Sequence, residues 1–570
     1  MKRIHVSIIF VGILFVIILI RIIIAIKIPV WIDTNAWLDD VLMLRSADIF
    51  QHFENWDTFS MTKTMSFPVF LGFVYIARIP YTLAVCLLWV IGSLLALWFF
   101  KHFVESNICR LLIFTFILFC PVAFDTWTGL RIYRQAIIAP SALIACMAIF
   151  LLVLKIYLWA SEGEIKKGSI RFLVLLSIFS GISFFFFYYI KEDGIWLMPV
   201  FLIASATGLV LVFKTGNRPR AKVKLAVIVL IPILVFFCGT NIYKAINYHF
   251  FGVFEVNTRT EGEFGRFIEN LIKIEDENRT RMIWVPYSTL EKAWEVSDTL
   301  AAAPEILETI RTMDAFAEGD IEKNPIPGDL ISWALKVALE ESGHYNSERQ
   351  AEEFFSKANS DIKAAFNDGR LTEAKGISLS AKVPARTINE ILELRPFIWQ
   401  MFKYQALWHF ADTSLKFRDD ELVEKVNETL HVNIRADWGN LDSTDRLFMS
   451  VGKNIIIFYR TIAPFLICIS LAGFVLWIIE LFRKKVNAHG PTLWSLMPVF
   501  SVSIALSITV LFVGVAWFSE WICLSYSNAY QSNTILNFYS SGAAPLIQVL
   551  VTVGVVYFFK RLISFRKGTV

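Results

Sequence analysis

The chain has 570 residues, 56% of them apolar, and its formal net charge is +4. This composition excludes a single water-soluble domain, because several apolar runs reach the about 20 residues that a helix needs to cross a bilayer. The sequence therefore predicts a polytopic, all-α protein of the cell (plasma or inner) membrane, and we expect no nucleic-acid partner.

The first predicted element is a transmembrane helix over residues 5–29. Its apolar run continues past the about 7 to 15 residues of a signal peptide and lacks a small-residue cleavage site, so we interpret it as a retained span. Lys2 and Arg3 precede it, and positively charged flanks stay in the cytoplasm. We therefore predict a cytoplasmic N-terminus and an extracytoplasmic loop after the first span.

About ten membrane spans are predicted, with both termini in the cytoplasm. Through the first seven, basic residues fall in every second loop, as the positive-inside rule requires. The apolar segment 67–79 is too short to span and is predicted to lie as a helix at the outer interface. The predicted spans are 5–29, 81–100, 111–124, 136–159, 172–190, 194–213, 225–248, 455–482, 493–517 and 543–559.

A less apolar and more charged stretch, residues 249–452, separates the seventh and eighth predicted spans. It has the size of a domain, and the odd number of preceding crossings places it outside the cytoplasm. Apolar residues at helical spacing from Ile331 to Leu339, and the Ser347–Gln350 capping pair, predict that it is mostly helical. We therefore divide the chain into a seven-span membrane domain (1–248), an extracytoplasmic helical domain (249–452) and a three-span membrane domain (453–570).

Charged residues at the predicted outer ends of the spans are the candidate functional groups. Asp39 and Asp40 lie in the first outer loop, and charges at membrane level are costly unless they are paired or used. A carboxylate in a partly desolvated cleft can act as general base on a hydroxyl, and guanidinium groups bind phosphate oxygens bidentately. Together these groups suit transfer from a phosphate-activated donor. The remaining candidates, in two later outer turns, are Arg131, Arg134, Lys191, Glu192 and Asp193.

Each candidate also has a purely structural interpretation. Asp39 and Asp40 could be solvated loop acids or the start of a helix. Arg131 and Arg134, three residues apart, could be interfacial anchors, and residues 191–193 could be the polar cap of a span. The functional hypothesis therefore requires that these side chains meet on one face.

Three outer motifs carry a resemblance to a known family. Residues 63–71, KTMSFPVFL, resemble K-G-P-G-Y-P-L-F-L; residues 131–135, RIYRQ, resemble R-x-Y-R-D; and residues 191–199, KEDGIWLMP, resemble R-E-E-G-x-W-L-x-P. Segments 329–345 and 538–547 extend the likeness. On these motifs the chain resembles the C-type (GT-C) superfamily of polyprenyl-phosphate-sugar glycosyltransferases, in particular bacterial members related to protein O-mannosyltransferases and aminoarabinose transferases.

This resemblance implies an inverting glycosyltransferase that uses a polyprenyl-phosphate-linked sugar as donor. The implied acceptor is a cell-envelope glycan, a glycolipid or a protein, and the other expected partners are membrane lipids. A divalent metal, Mg²⁺ or Mn²⁺, would find hard oxygen ligands here, although no spacing demands one. The implied site residues are the general base, Asp39 or Asp40; the donor-phosphate ligands, Lys63, Arg131 and Arg134; and a second acidic motif close to the acceptor or a metal, Lys191, Glu192 and Asp193.

Two non-catalytic hypotheses stand beside the transferase. The same charges could line the binding groove of a transporter or flippase for a lipid-linked saccharide, which discontinuous spans with Gly or Pro at mid-membrane would favour. The chain could instead be an assembly or adhesion protein built around the extracytoplasmic domain. That last hypothesis predicts that Asp39 and Asp40 face solvent.

Overall fold

The computed structural model describes residues 2–34, 36–47, 57–162, 167–214, 219–313, 326–410, 420–432, 434, 441–484, 493–525 and 529–566. It is 77% helical, and over these residues it contains isolated bridges but no β-strand. The all-α class predicted from composition is confirmed for this part of the chain.

The helices fall into three groups along the chain. The first group is α1 (Lys2–Lys27), α2 (Leu42–Ser46), α3 (Ser66–Ala77), α4 (Tyr81–Phe100), α5 (Asn107–Leu118), α6 (Gln135–Glu162), α7 (Lys167–Tyr188), α8 (Met198–Lys214) and α9 (Pro219–Phe251). A central segment, residues 252–442, contains α10 (Gly262–Lys273), α11 (Tyr287–Val296), α12 (Asp298–Ala301), α13 (Pro304–Thr312), α14 (Leu330–Glu341), α15 (Glu348–Asn367), α16 (Ile388–Glu393), α17 (Arg395–Leu407) and α18 (Asp420–Leu430). The last group is α19 (Ser443–Lys484), α20 (Met497–Ser525), α21 (Ala529–Ser540) and α22 (Ala544–Arg566).

Nine helical segments in the described chain are long and apolar enough to cross a membrane. The most enclosed is α6, whose apolar stretch is buried on every side between α4, α7 and α8. A helix that is apolar all round belongs in the centre of a bundle, so α6 forms its core. These nine segments are Ile8–Lys27, Tyr81–Phe100, Gln135–Trp159, Ser169–Tyr188, Gly194–Lys214, Pro219–Phe251, Ser443–Glu480, Leu493–Leu524 and Thr534–Phe565.

The predicted span 111–124 is the exception and needs correction. Helix α5 starts after the Ser106 cap and has only 12 residues, about 18 Å, which is shorter than the roughly 30 Å hydrocarbon core. Carbonyls in its last turn accept hydrogen bonds from side chains of other helices. Tyr459 of α19 donates to the carbonyls of Thr115 and Phe116, and Gln548 of α22 also donates to Phe116. Neighbouring helices thus satisfy the early helix end, as the interior of a membrane requires.

The described part of the central segment is mostly helical, as predicted, and the predicted helix cap at Ser347 is present. Ser347 accepts a hydrogen bond from the Gln350 amide and caps α15. The segment is also joined to α20 by buried groups. Arg386 pairs with Glu520 and donates to the Trp517 carbonyl at 2.7 Å. Both ionic side chains are almost fully buried, so this contact is part of the packing between the central segment and the bundle.

The loop after α1 is held against the turn before α6. The Trp31 amide donates to the Leu130 carbonyl, and the Ile132 amide donates back to Trp31. These two bonds place the Asp39 loop beside Arg131 and Arg134, at the end of the bundle where α6 begins.

Candidate active site

A short π-helix, Trp37–Val41, presents the two adjacent acids. The Val41 amide donates to the Ala36 carbonyl five residues earlier, which is the wider π pattern often found at functional sites. The two neighbours consequently occupy different environments. Asp40 is fully buried, whereas 47% of the Asp39 side chain is exposed.

Asp40 is fixed by a buried ion pair with Arg131. The Arg131 Nε and Nη2 atoms donate to the two carboxylate oxygens at 3.0 and 2.5 Å, and the Asp33 amide adds a third bond. Burial is the larger influence on Asp40 and raises its pKa to about 6 against the opposing effect of Arg131. Burial alone would lower the pKa of Arg131, but the carboxylates of Asp40, Asp33 and Asp39 outweigh it and raise this pKa. Both partners are therefore charged at pH 7.

Asp39 begins a continuous chain of polar contacts. It accepts from Lys63 Nζ at 2.6 Å and from the Tyr133 hydroxyl at 2.7 Å. Tyr133 in turn accepts from Arg134 Nη2 at 2.8 Å, and Arg134 Nη1 contacts both oxygens of Glu192 at 2.8 and 2.9 Å. We call these five residues, Lys63, Asp39, Tyr133, Arg134 and Glu192, the acid–base chain.

The charges in the acid–base chain shift one another. For Asp39, burial raises the pKa, but Lys63 and Arg134 outweigh it, and the net pKa is below its usual value. Glu192 behaves in the same way, and Arg134 is the main opposing cation that lowers its pKa to about 2. Burial lowers the pKa of Lys63, and repulsion from Arg134 and Arg259 lowers it further, so that together they outweigh the attraction of Asp39 and Glu192. Both acids are therefore ionised at neutral pH.

A second pair lies next to this chain. Lys191 Nζ contacts Asp193 at 2.7 Å and lies 4.0 Å from the centroid of the Tyr539 ring. Lys191 is buried, and burial lowers its pKa. The segment that contains Tyr539, which lies within the 538–547 part of the family resemblance, therefore covers this side of the site.

All eight predicted site residues thus meet at one end of the bundle. Four of them, Asp39, Lys63, Arg134 and Glu192, belong to the acid–base chain, Asp40 and Arg131 flank it, and Lys191 and Asp193 lie beside Glu192. The burial of Asp40 disagrees with the assembly-protein hypothesis, which expects both acids to face solvent. The functional roles of the eight residues stay predictions.

The central segment contributes residues that sequence reasoning did not single out. Arg259 Nη1 contacts Asp329 at 2.7 Å. The Trp333 ring lies between two cations, with its centroid 4.8 Å from the Arg259 guanidinium and 4.9 Å from Lys63 Nζ. Asp329 and Trp333 lie within segment 329–345, which extends the family resemblance, and that was the available signal. Arg259 has no comparable signal.

Two buried guanidinium groups in this region retain an unused donor. The Nε atoms of Arg134 and Arg259 are buried and have no hydrogen-bond partner among the residues that the structure describes, and the same holds for the Thr64 hydroxyl. Buried donors of this kind are normally satisfied. An anionic oxygen of a ligand would satisfy them, so the electrostatics favour an anion-binding function.

The carboxylates do not fit a divalent cation. Over the described ranges, no group of three or more His, Cys, Asp or Glu side chains could hold a metal ion. Each acid here has a basic partner instead: Arg131 for Asp40, Lys63 for Asp39, Arg134 for Glu192, and Lys191 for Asp193. We therefore derive no step that depends on Mg²⁺ or Mn²⁺.

Fold and site together define an α-helical membrane protein with a charged cluster at one end of its bundle. Comparison of the chain with protein-family models, with curated proteins and with solved structures finds no match. The argument for function consequently depends on the residues of the site.

Proposed function

We propose that this protein transfers a sugar from a polyprenyl-phosphate-linked donor to an acceptor hydroxyl outside the cytoplasm. The observation that carries this proposal is the combination of a reachable carboxylate, Asp39, with unused buried donors on Arg134 and Arg259. A carboxylate can accept the proton of an attacking hydroxyl, and guanidinium groups stabilise a departing phosphate. One face of the bundle thus offers both functions that the transfer needs.

The proposed orientation puts the acid–base chain and the central segment on the extracytoplasmic face of the plasma or inner membrane. Exposed basic residues such as Lys101 and Lys224 at the other end of the bundle support it through the positive-inside rule. Helix α5 begins beside α4, where Arg110 donates to the Lys101 carbonyl, and the chain after it reaches Arg131. The short α5 and its following turn would therefore complete a tenth crossing and keep both termini in the cytoplasm.

The proposed reaction is a single displacement. The acceptor oxygen attacks the anomeric carbon, the bond from that carbon to the phosphate oxygen breaks, and polyprenyl phosphate leaves with the electron pair. Asp39 takes the hydroxyl proton, and the anomeric configuration inverts. When the donor phosphate attracts Lys63, Asp39 loses part of its counter-charge and becomes a stronger base, because a neighbouring cation holds down the pKa of an acid.

The geometry separates the roles of the two acids and the two arginines. Asp40 is inaccessible and Arg131 is occupied by it, so we assign this pair to positioning the π-helix rather than to binding donor phosphate. Lys63, Arg134 and Arg259 are the proposed phosphate ligands, since the two arginines have unused Nε–H groups. The acceptor would enter along the central segment.

The test compares the purified wild type with Asp39→Asn and Asp40→Asn on a panel of radiolabelled polyprenyl-phosphate sugars and a cell-envelope extract. A general base contributes about 10²- to 10⁴-fold, so Asp39→Asn should lower transfer at least ~100-fold while donor binding survives. Asp368→Asn is the matched control, because Asp368 forms an exposed pair with Arg370 in the central segment.

Each other outcome has a defined meaning. If Asp39→Asn transfers at the wild-type rate, the proposed mechanism is wrong. Loss of transfer confined to Asp40→Asn, with donor binding and thermal unfolding at the wild-type level, would move the base to Asp40. Donor binding by the wild type without transfer to any acceptor would favour the transporter or flippase.

A further inference from the structure

A second basic site lies at the opposite end of the bundle from Asp39. Phe10, near the start of α1, borders it, whereas the chain just after α1 pairs with the Arg131 turn. The helix between these points is about 25 Å long, so the two sites are separate. The cavity measures about 290 Å³ and is lined by Phe10, Leu94, Leu97, Trp98, Lys101 and Arg110.

Basic groups surround the Trp98 ring at this cavity. Lys101 Nζ lies 5.4 Å and Lys155 Nζ 5.6 Å from the ring centroid, and Lys155 Nζ is 3.3 Å from His102 Nε2. Arg110 is held in place by its own loop, because its Nε donates to the Val104 carbonyl at 2.8 Å. The positive charge is therefore fixed on the wall of the cavity.

The two cations that line the cavity, Lys101 and Arg110, repel each other. In the described part of the chain, neither Lys101 nor Arg110 forms an ion pair with a carboxylate. Burial, followed by repulsion from Lys155 and Arg110, lowers the pKa of Lys101. A neighbouring anion would remove this repulsion, so the site is electrostatically complementary to one.

The other walls are apolar and reach the surface of the bundle. Leu94 is 37% exposed, and Phe10, Leu97 and the Trp98 ring continue the apolar surface. A ligand that fits must therefore present a negative group to Lys101 and hydrocarbon to the remaining walls. Free phosphate would leave the apolar walls uncovered, whereas a phospholipid contacts both Lys101 and the apolar walls.

We propose that this cavity binds the headgroup phosphate of an anionic phospholipid from the leaflet opposite the Asp39 site. The Lys101 ammonium contacts the phosphate, Arg110 adds a fixed positive charge, and an acyl chain lies along Leu94. Trp98 is suited to the headgroup level, where amphipathic aromatic rings concentrate. Basic pockets between spans are known to bind anionic headgroups.

Native mass spectrometry of the delipidated full-length protein tests the proposal. The protein is titrated with phosphatidylglycerol and, separately, with phosphatidylcholine of the same acyl chains; inorganic phosphate serves as competitor. Each basic residue near an anionic lipid contributes about 1 kcal/mol, so Lys101→Gln should weaken phosphatidylglycerol binding ~5-fold. Lys101→Arg should retain it, and Leu94→Trp should weaken it by filling the cavity without changing charge.

The matched control is Lys224→Gln, at an exposed lysine near the start of α9 that does not line the cavity. It should leave phosphatidylglycerol affinity unchanged, and thermal unfolding of every variant checks the fold. Equal phosphatidylglycerol affinity for Lys101→Gln and wild type would overturn the proposal, as would an equal loss in Lys224→Gln. Competition by inorganic phosphate at lipid concentration would overturn the assignment to a lipid.

Discussion

The Glu192–Arg134 pair offers the sharpest test of the electrostatics of the site. Arg134 retains only 4% side-chain exposure and Glu192 14%, and one guanidinium nitrogen contacts both carboxylate oxygens. Burial raises the pKa of Glu192, but Arg134, with smaller contributions from Lys63 and Arg259, outweighs it and lowers the pKa to about 2 from an ordinary value near 4.5. At about 1.4 kcal/mol per pKa unit, the charged form contributes on the order of 3 kcal/mol at pH 7.

Glu192→Gln should therefore lower the free energy of unfolding by about 3 kcal/mol at pH 7, because it leaves a buried guanidinium opposite a neutral amide. The pH dependence has a definite sign. A carboxylate with a lowered pKa stabilises the folded state fully above about pH 4.5 and loses that contribution as the pH falls towards 2. The difference between the variant and wild type should shrink over this range.

The measurement is SDS-induced unfolding in mixed micelles, followed by circular dichroism at pH 7 and at pH 3 to 4. Glu353→Gln is the control, since Glu353 is 65% exposed and pairs with Arg349 on the surface of α15; it should cost less than about 0.5 kcal/mol. An equal loss in both variants would refute the reasoning. So would a difference for Glu192→Gln that is the same at both pH values.

Three further predictions concern separate contacts. Tyr133→Phe removes the hydroxyl that donates to Asp39 and accepts from Arg134 Nη2. Because the buried Arg134 donor is left unsatisfied, the free energy of unfolding in SDS should fall by about 1 to 3 kcal/mol. A loss below about 0.5 kcal/mol contradicts this prediction. Gly473→Ala should lower the free energy of unfolding by about 1 to 3 kcal/mol, because the added Cβ would lie 2.0 Å from a backbone oxygen of α22. Gly514→Ala is the control, since a Cβ there meets no atom within 4 Å. Equal thermal stability of the two variants contradicts the close packing of α19 on α22. Ser347→Ala removes the cap of α15 and should lower local stability by about 1 kcal/mol, measured by amide hydrogen exchange in α15; unchanged exchange contradicts it.

The lengths of the apolar runs were enough to predict most of the bundle, because the backbone hydrogen bonds of a long span form within its own helix. Helix α5 is different, since its apolar sequence predicts a membrane span but the helix ends at Leu118, after only 12 residues. What makes that end acceptable is Tyr459 and Gln548, more than 300 residues later. No local sequence pattern contains this information. The sequence analysis therefore predicted a membrane-spanning helix at α5, where the structure has a short one.

The site shows the same division. Charge at the predicted outer turns was sufficient to select seven of the eight residues that meet, because these seven follow or precede spans that end on the same face. Lys63 was selected only through the family resemblance. The different environments of Asp39 and Asp40 were not predictable, since a π-helix and a partner 91 residues away decide them. Arg259 was missed for a similar reason: only its contacts with Asp329 and Trp333 bring it to the site.

The order of the site residues along the chain has a consequence for biosynthesis. Asp40, Arg131 and Glu192 all precede residue 200 of the sequence, whereas Tyr539, which covers Lys191, lies near its end. At translation rates of about 5 to 20 residues per second, roughly 20 to 70 s separate Asp193 from Tyr539. The buried acids and bases can therefore form their ion pairs during translation. The later segments then pack against a region whose charges are already balanced.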